Sequence, residues 1–275
     1  VSGSPLLLGT TWTPAAAALD DLDALVDIVE APGWGLDAAL ECRPAPLLLH
    51  NLDLDVSLAD PGYIDAAWGE RASDAIARSG SPWFSLHLGF SAERVCFDEH
   101  MLPLSAPLPR DELRDRIVAT TRAAIERLSV PVLLENLDYC PEGAYEHVCE
   151  PAFIGEVLEA TGCGLLLDIG HLVVSSSWLD SDPEAMLDAL PLDRLVEVHV
   201  SSPRPLAGDG NSERLDDVHE VLTEREVRLL RMALRRACPR AVVLEYRREP
   251  GKLREQLILL RSIIAEETGR GRGGF

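Results

Sequence analysis

The sequence predicts a single closed (β/α)8 barrel over residues 1–268, followed by a short flexible Gly/Arg-rich tail at 269–275. Three observations predict it. Eight apolar runs of strand length recur along the chain, most of them continuous rather than alternating, as strands covered on both faces are. Helical patterns fall between the runs, which makes successive strands parallel, and eight such units close a sheet. The length of 275 residues suits one barrel of about 250 residues. An open doubly wound sheet is the alternative. It would ordinarily offer a glycine-rich first turn, and Leu8-Gly9-Thr10-Thr11 is no dinucleotide fingerprint.

In order, the strand-like runs are Leu6–Trp12, Leu25–Ala31, Pro46–Leu52, Trp83–Phe90, Val130–Leu137, Gly164–His171, Leu195–Ser201 and Ala241–Arg247. Among the helical segments, Arg110–Leu128 has an apolar stripe of Leu113, Ile117, Thr121, Ala124 and Leu128. Pro109 precedes it, and Asp111 and Glu112 supply the negative charge a helix start prefers. Ile64–Ser79, Phe153–Ala160, Glu184–Leu190, Glu224–Ala237 and Leu253–Glu267 follow the same logic, with a shorter segment at Gly35–Cys42.

Composition narrows the function. With 46 acidic against 25 basic residues, the formal charge is −21, and nucleic acid or an anionic membrane surface is a poor partner for such a chain. The excess falls on the first 200 residues, but the strand–helix rhythm runs across that boundary, so it marks no second domain. Lys252 is the only lysine, which removes most Schiff-base and P-loop chemistry. No apolar run approaches the roughly 20 residues of a bilayer span, and Val1–Thr13 has no basic n-region or cleavage site, so a cytoplasmic location is expected. The cysteines (Cys42, Cys96, Cys140, Cys149, Cys163, Cys238) form no CxxC pair and are expected reduced and packed. Cys140, after a strand end, is the best placed of them for chemistry.

In such barrels the active site lies at the C-terminal ends of the strands. His50, His87, His171 and His199 fall at or near predicted strand ends, as do Glu30, Glu135, Asp168 and Glu245. Asp217 and His219 form an Asp-x-His in the loop after strand 7. Taken singly, a histidine after an apolar strand is more often a hydrogen-bonded structural residue, and a carboxylate there a helix cap. The set resists that reading. Buried carboxylates need cations, Arg247 is the one basic residue at these ends, and a metal cluster supplies the missing positive charge. Asp168-x-x-His171 and Asp217-x-His219 can each aim two ligands from one loop, and Glu135 is placed to bridge. Asn136 is a candidate for orienting a ligand. Asp53 and Asp55 read as solvated or capping, while His100 and His147 are weaker candidates for touching substrate.

One series of segments resembles a known family. It comprises His50-Asn51-Leu52, Ser85-Leu86-His87-Leu88-Gly89-Phe90-Ser91, Leu104–Leu108 and Leu133-Leu134-Glu135-Asn136. Thr161-Gly162-Cys163-Gly164-Leu165-Leu166-Leu167-Asp168, Leu190-Pro191-Leu192-Asp193 and Glu197-Val198-His199 continue it. Together they resemble the multinuclear non-heme iron-dependent oxidative enzymes, the family of the methanobactin biosynthesis oxidase. The resemblance implies two or three irons of mixed valence using dioxygen as co-substrate to modify a ribosomally made precursor peptide, usually at cysteine. It also implies a small partner protein that presents the peptide. Carried over, one iron takes His50, His87 and Glu135; a second takes Glu135, Asp168, His199 and Glu245; a third takes His171, Asp217 and His219. Glu135, His171 and Asp217 are the residues expected to act in the chemistry. Many relatives have Asn at the His171 position and Glu at the Leu86 position, and the loop after strand 7 is not closely similar.

Two rivals use xylose-isomerase-like or endonuclease-IV-like barrels. A trinuclear zinc phosphoesterase would have the same ligand order, but a charge of −21 leaves it without a phosphate-neutralising surface. A sugar isomerase would ordinarily want a catalytic lysine or a pair of acids at divalent metals, and the lysine is absent from the strand ends. A metal-binding or scaffold protein without turnover is the non-enzymatic reading. An iron–sulfur cluster or a four-cysteine zinc site is excluded by the cysteine spacing.

Overall fold

Eight parallel strands close on themselves in the computed structural model, which describes residues 5–43, 46–53, 57–96, 102–141, 143–206 and 214–270. They are β1 (Leu7–Thr11), β2 (Ile28–Pro32), β3 (Leu48–His50), β4 (Phe84–His87), β5 (Val132–Glu135), β6 (Gly164–Asp168), β7 (Leu195–Val200) and β8 (Ala241–Leu244). Each pairs with its neighbours in sequence, and β1 pairs with β8 to complete the ring. Besides two single turns at Pro14–Ala17 and Leu22–Leu25, the α-helices are α1 (Leu36–Cys42), α2 (Ala66–Ser79), α3 (Arg110–Arg127), α4 (Pro151–Thr161), α5 (Ile169–Trp178), α6 (Pro183–Ala189), α7 (Glu224–Arg236) and α8 (Pro250–Arg270).

Several expected boundaries move. Leu22–Leu25 forms a helical turn, so β2 begins at Ile28 instead of Leu25. β6 stops at Asp168, because the Asp168 carboxylate accepts the His171 backbone N–H and so starts α5. His171 therefore stands on the first turn of a helix and not on a strand. The segment after β7 is an antiparallel ribbon of Ser202–Pro205 and Leu215–Glu220, which makes Asp217 and His219 strand residues rather than loop residues. α8 continues through Gly269 and Arg270, two residues expected in the tail; residues 271–275 lie outside the described residues, as do Asp55 and His100.

The period of two in a strand decides what faces inward. Ile28, Leu48, Trp83, Leu133, Leu166, Ala241 and Val243 form an apolar plug inside the barrel, separate from the larger core between strands and helices. Two residues further along β2, β3, β5 and β6 come Glu30, His50, Glu135 and Asp168, and just past β8 comes Glu245. Along β4 the series runs from Trp83, just before the strand, to Ser85 and His87. On β7 the plug position is itself polar, Glu197, followed two residues on by His199. A ring of ligand-type side chains thus sits directly above the apolar floor.

The start of α7 is tied to the ribbon that carries Asp217 and His219. Thr223 and Glu226 form a capping box, and the fully buried Glu226 carboxylate also accepts from the Ser202 hydroxyl and Arg225. Burial opposes ionisation there, but the hydrogen bonds from Ser202, Thr223 and Arg225 hold the carboxyl below its ordinary range. Its contribution to stability is therefore complete above the ordinary glutamate pKa and disappears as pH falls through the lower folded value. Glu226→Ala should cost about 1–3 kcal/mol at neutral pH. In urea titrations, the gap between it and the parent chain should narrow on acidification; a gap independent of pH would contradict this account.

Candidate metal centre

Glu135 is the hub. It ends β5, is 1% exposed, and turns its two carboxylate oxygens to opposite sides. Oε2 lies 3.2 Å from His50 Nε2 and 3.4 Å from His87 Nε2. Oε1 lies 3.5 Å from His199 Nδ1 and 3.5 Å from His171 Nδ1. Around it, His199 Nδ1 is 3.6 Å from Glu245 Oε1, and His219 Nε2 is 3.1 Å from Glu245 Oε2. Asp217 Oδ2 stands 2.9 Å from His219 Nδ1 and 3.9 Å from His171 Nε2. All nine predicted ligands stand at the C-terminal end of the barrel and are brought together.

Their donor atoms form overlapping groups. Among the described residues, His50, His87 and Glu135 offer donor atoms all within 4.8 Å of one another, as do Glu135, Asp168 and His199, and Glu30, His199 and Glu245. The first two groups share Glu135. His171, Asp217 and His219 approach pairwise without forming such a group. Glu135 Oε2, Asp168 Oδ2, His199 Nδ1 and Asp217 Oδ1 are buried without hydrogen-bond partners. Buried polar atoms are almost always satisfied, so four such orphans at the barrel mouth, three of them on the Glu135, Asp168 and His199 group, fit cation binding.

Neighbouring groups set the orientation of the candidate ligands. His50 Nδ1 is 2.9 Å from the Ser85 hydroxyl, which leaves Nε2 facing Glu135. His171 Nδ1 donates to the Asn136 carbonyl at 2.9 Å, which leaves Nε2 toward Asp217. The Asn136 side chain holds Asp168 by both backbone groups, donating to its C=O at 2.9 Å and accepting from its N–H at 2.8 Å. Asn51 accepts from the His87 N–H at 3.1 Å and sets its own amide 2.7 Å from His50 Nε2. Asn51 and His219 both have φ of 52°, left-handed conformations that cluster where function requires them.

Burial and close opposite charges pull these groups in different directions. Burial works against ionisation of Glu135, but His50 and His87 hold its carboxyl well below the ordinary range. Burial lowers the His87 imidazole to about 4 and raises the Asp168 carboxyl to about 7. His219 goes the other way: Glu245 and Asp217 outweigh burial and raise it to about 10. Of the five imidazoles at the site, the neighbouring carboxylates outweigh burial at His50, His171, His199 and His219 and raise them, and His87 alone is lowered.

Some participants were not predicted. Glu30, noted only as a strand-end carboxylate, touches His199 Nε2 at 3.0 Å. Asp138 lines the cavity and is raised by burial; its signal was a Glu135-x-x-Asp138 spacing like that of Asp168 and His171. Asp53, read as solvated or capping, lines the cavity at its rim, where Arg71 and Tyr63 brace it. The weaker candidate His147 instead pairs with Glu150 at 3.0 Å and stacks on Phe153. Above the ligands the barrel opens into a cavity of about 470 Å³, walled by Trp12, Trp34, Phe90 and Tyr145, with Arg247 as its one Lys or Arg among the described residues.

Comparison with known proteins places the chain in context. A family model described as RiPP precursor modification enzyme MbnB/TglH/ChrH matches residues 34–259. A UPF0276 protein of Paraburkholderia phytofirmans is 30% identical over 226 residues, 81% of this chain and 72% of that protein. One of Chromobacterium violaceum is 32% identical over 206 residues, 73% of this chain and 70% of that protein. Among solved structures, a D-tagatose 3-epimerase-like protein superposes with a TM-score of 0.66 at 13% identity, covering 96% of this chain and 99% of its own. Endonuclease IV from Thermus thermophilus does so with 0.57 at 17% identity, covering 94% and 99%. At such identities the likeness is one of fold, a xylose-isomerase-like and endonuclease-IV-like barrel. No helix of the described residues is long and apolar enough to cross a membrane.

Proposed function

The chain belongs to the RiPP precursor modification enzyme family MbnB/TglH/ChrH, and from that premise we propose that it is a multinuclear non-heme iron oxidase that uses dioxygen to modify a cysteine of its precursor peptide. The observation that carries the reading is the bridging posture of Glu135, one oxygen toward His50 and His87, the other toward His199 and His171. His50, His87 and Glu135 would hold one ion, and Glu135, Asp168, His199 and Glu245 a second. His171, Asp217 and His219 are the candidates for a third. A mixed imidazole and carboxylate donor set suits iron. Iron held there supplies one-electron chemistry toward dioxygen, which redox-inert zinc could not.

The chain's own groups do the rest. Ser85 and Asn136 fix which imidazole nitrogen of His50 and His171 faces inward. The aromatic wall of the cavity accepts an apolar peptide segment and thins the water above the ligands, which strengthens every electrostatic interaction below it. A small partner protein that presents the peptide belongs to the same proposal.

The test loads apoprotein anaerobically with iron or with zinc, adds the candidate precursor peptide, and follows its mass with and without dioxygen. Modification is expected only with iron and dioxygen together. Equal turnover with zinc, or turnover without dioxygen, would overturn the oxidase reading and favour a metallohydrolase.

A further inference from the structure

His199 is buried at the centre of the barrel mouth, and its two ring nitrogens face different surroundings. Nδ1 has no hydrogen-bond partner and lies 3.5 Å from Glu135 Oε1 and 3.6 Å from Glu245 Oε1. Nε2 lies 3.0 Å from Glu30 Oε2, on the far side of the ring. One other carboxyl comes near Nε2. Glu197 Oε1 is 4.0 Å away, beyond hydrogen-bond reach, while Glu197 Oε2 is held by the Trp83 indole N–H at 2.7 Å. The proton on this imidazole therefore has one strong acceptor, and it is on Nε2.

We propose that Glu30 is a positioning residue: it holds Nε2–H of His199, and thereby makes Nδ1 the nitrogen that His199 offers to the metal beside Glu135 and Glu245. This rests on the metal-centre reading above. A neutral imidazole has one lone pair, and the nitrogen that keeps its proton cannot coordinate. Accepting from Nε2–H also makes Nδ1 a more basic ligand, and removal of such an outer partner typically weakens metal binding about 10–100-fold. The alternative built from the same residues makes Glu30 a ligand in its own right, in the Glu30, His199 and Glu245 group. Against it, Glu135 and Glu245 both approach the Nδ1 edge of the ring, and Glu30 approaches the opposite edge.

Substitutions separate the two. Glu30→Gln keeps an oxygen that can accept from Nε2–H but removes the carboxylate charge a ligand would need. Glu30→Ala removes the acceptor altogether. Ferrous iron bound per chain and its affinity are measured anaerobically by chelator competition, with no peptide or turnover required. In Glu30→Ala one ion is expected to weaken about 10–100-fold while the others stay as in the parent, and Glu30→Gln is expected to recover most of that loss. Glu30→Ala indistinguishable from the parent would overturn the inference, as would Glu30→Gln as weak as Glu30→Ala, which would mark Glu30 as a ligand. Should Glu30→Ala fail to fold, Glu30→Met replaces it, matching the length without a strong acceptor. A parent chain that takes up no iron fails the metal-centre reading itself; a parent that binds two or more ions beside an unaffected Glu30→Ala fails only the role of Glu30.

Discussion

Glu135→Ala is expected to lose two metal ions per chain at once, the largest change any single substitution should make at the site. Its carboxylate is within 3.5 Å of imidazole nitrogens on both sides. On the proposed reading, removing it would take a donor from each of two neighbouring ions and also the negative charge that screens them from one another. Because repulsion scales with the product of charges, two dications repel four times as strongly as two unit charges at the same separation. Glu135→Gln should retain part of the binding, through one oxygen and without the charge. His219→Ala provides the contrast. Its contacts are Asp217, Glu245 and Arg247, with none to Glu135 itself, so it should release the third ion alone. Metal per chain, measured on protein prepared anaerobically, decides the matter, and an unchanged content in Glu135→Ala would refute the bridging assignment.

Much of this is legible in the sequence because a parallel barrel turns chain position into spatial position. A strand's last inward residue lies at the mouth whatever its sequence distance from the others, so His50, His87, Glu135 and Asp168 can be read as neighbours from strand ends alone. Legibility ends where a residue's direction is set by something other than strand period. Gly164–His171 is uniformly apolar up to Asp168, which puts His171 on a strand, and periodicity cannot show that the Asp168 carboxylate caps a helix. The ribbon bearing Asp217 and His219 has little apolar alternation to announce it, and it is held by pairing with Ser202–Pro205. Glu30 is visible as a strand-end carboxylate, but its partner is 169 residues away. Glu197 is invisible as a site residue, since it occupies a plug position where an apolar side chain is the rule.

Asn136→Ala should be the most damaging substitution at a residue that holds no metal. The side chain, 4% exposed, makes two hydrogen bonds to the backbone of Asp168, and its own carbonyl accepts from His171 Nδ1. Truncation leaves the Asp168 N–H without a partner and strips its C=O of all but the first intrahelical bond of α5, at a place water does not reach. The buried orphan costs about 1–3 kcal/mol and the second lost hydrogen bond about 1 more, so a loss of about 2–4 kcal/mol in urea denaturation is expected. The consequence for the site is separate from the loss of stability. Asp168 starts α5 with one carboxylate oxygen and offers the other to the metal group, so a backbone no longer clamped there displaces two predicted ligands, Asp168 and His171, together. Asn136→Asp separates the two hydrogen bonds. The introduced carboxylate can still accept from the Asp168 N–H, but it sets negative charge against the Asp168 carbonyl oxygen, so this variant should be nearly as unstable at neutral pH. Protonation restores a donor at that position, and the variant should gain stability as pH falls, relative to Asn136→Ala over the same range. If Asn136→Ala unfolds at the parent's urea midpoint and binds the same metal, the clamp has no energetic role.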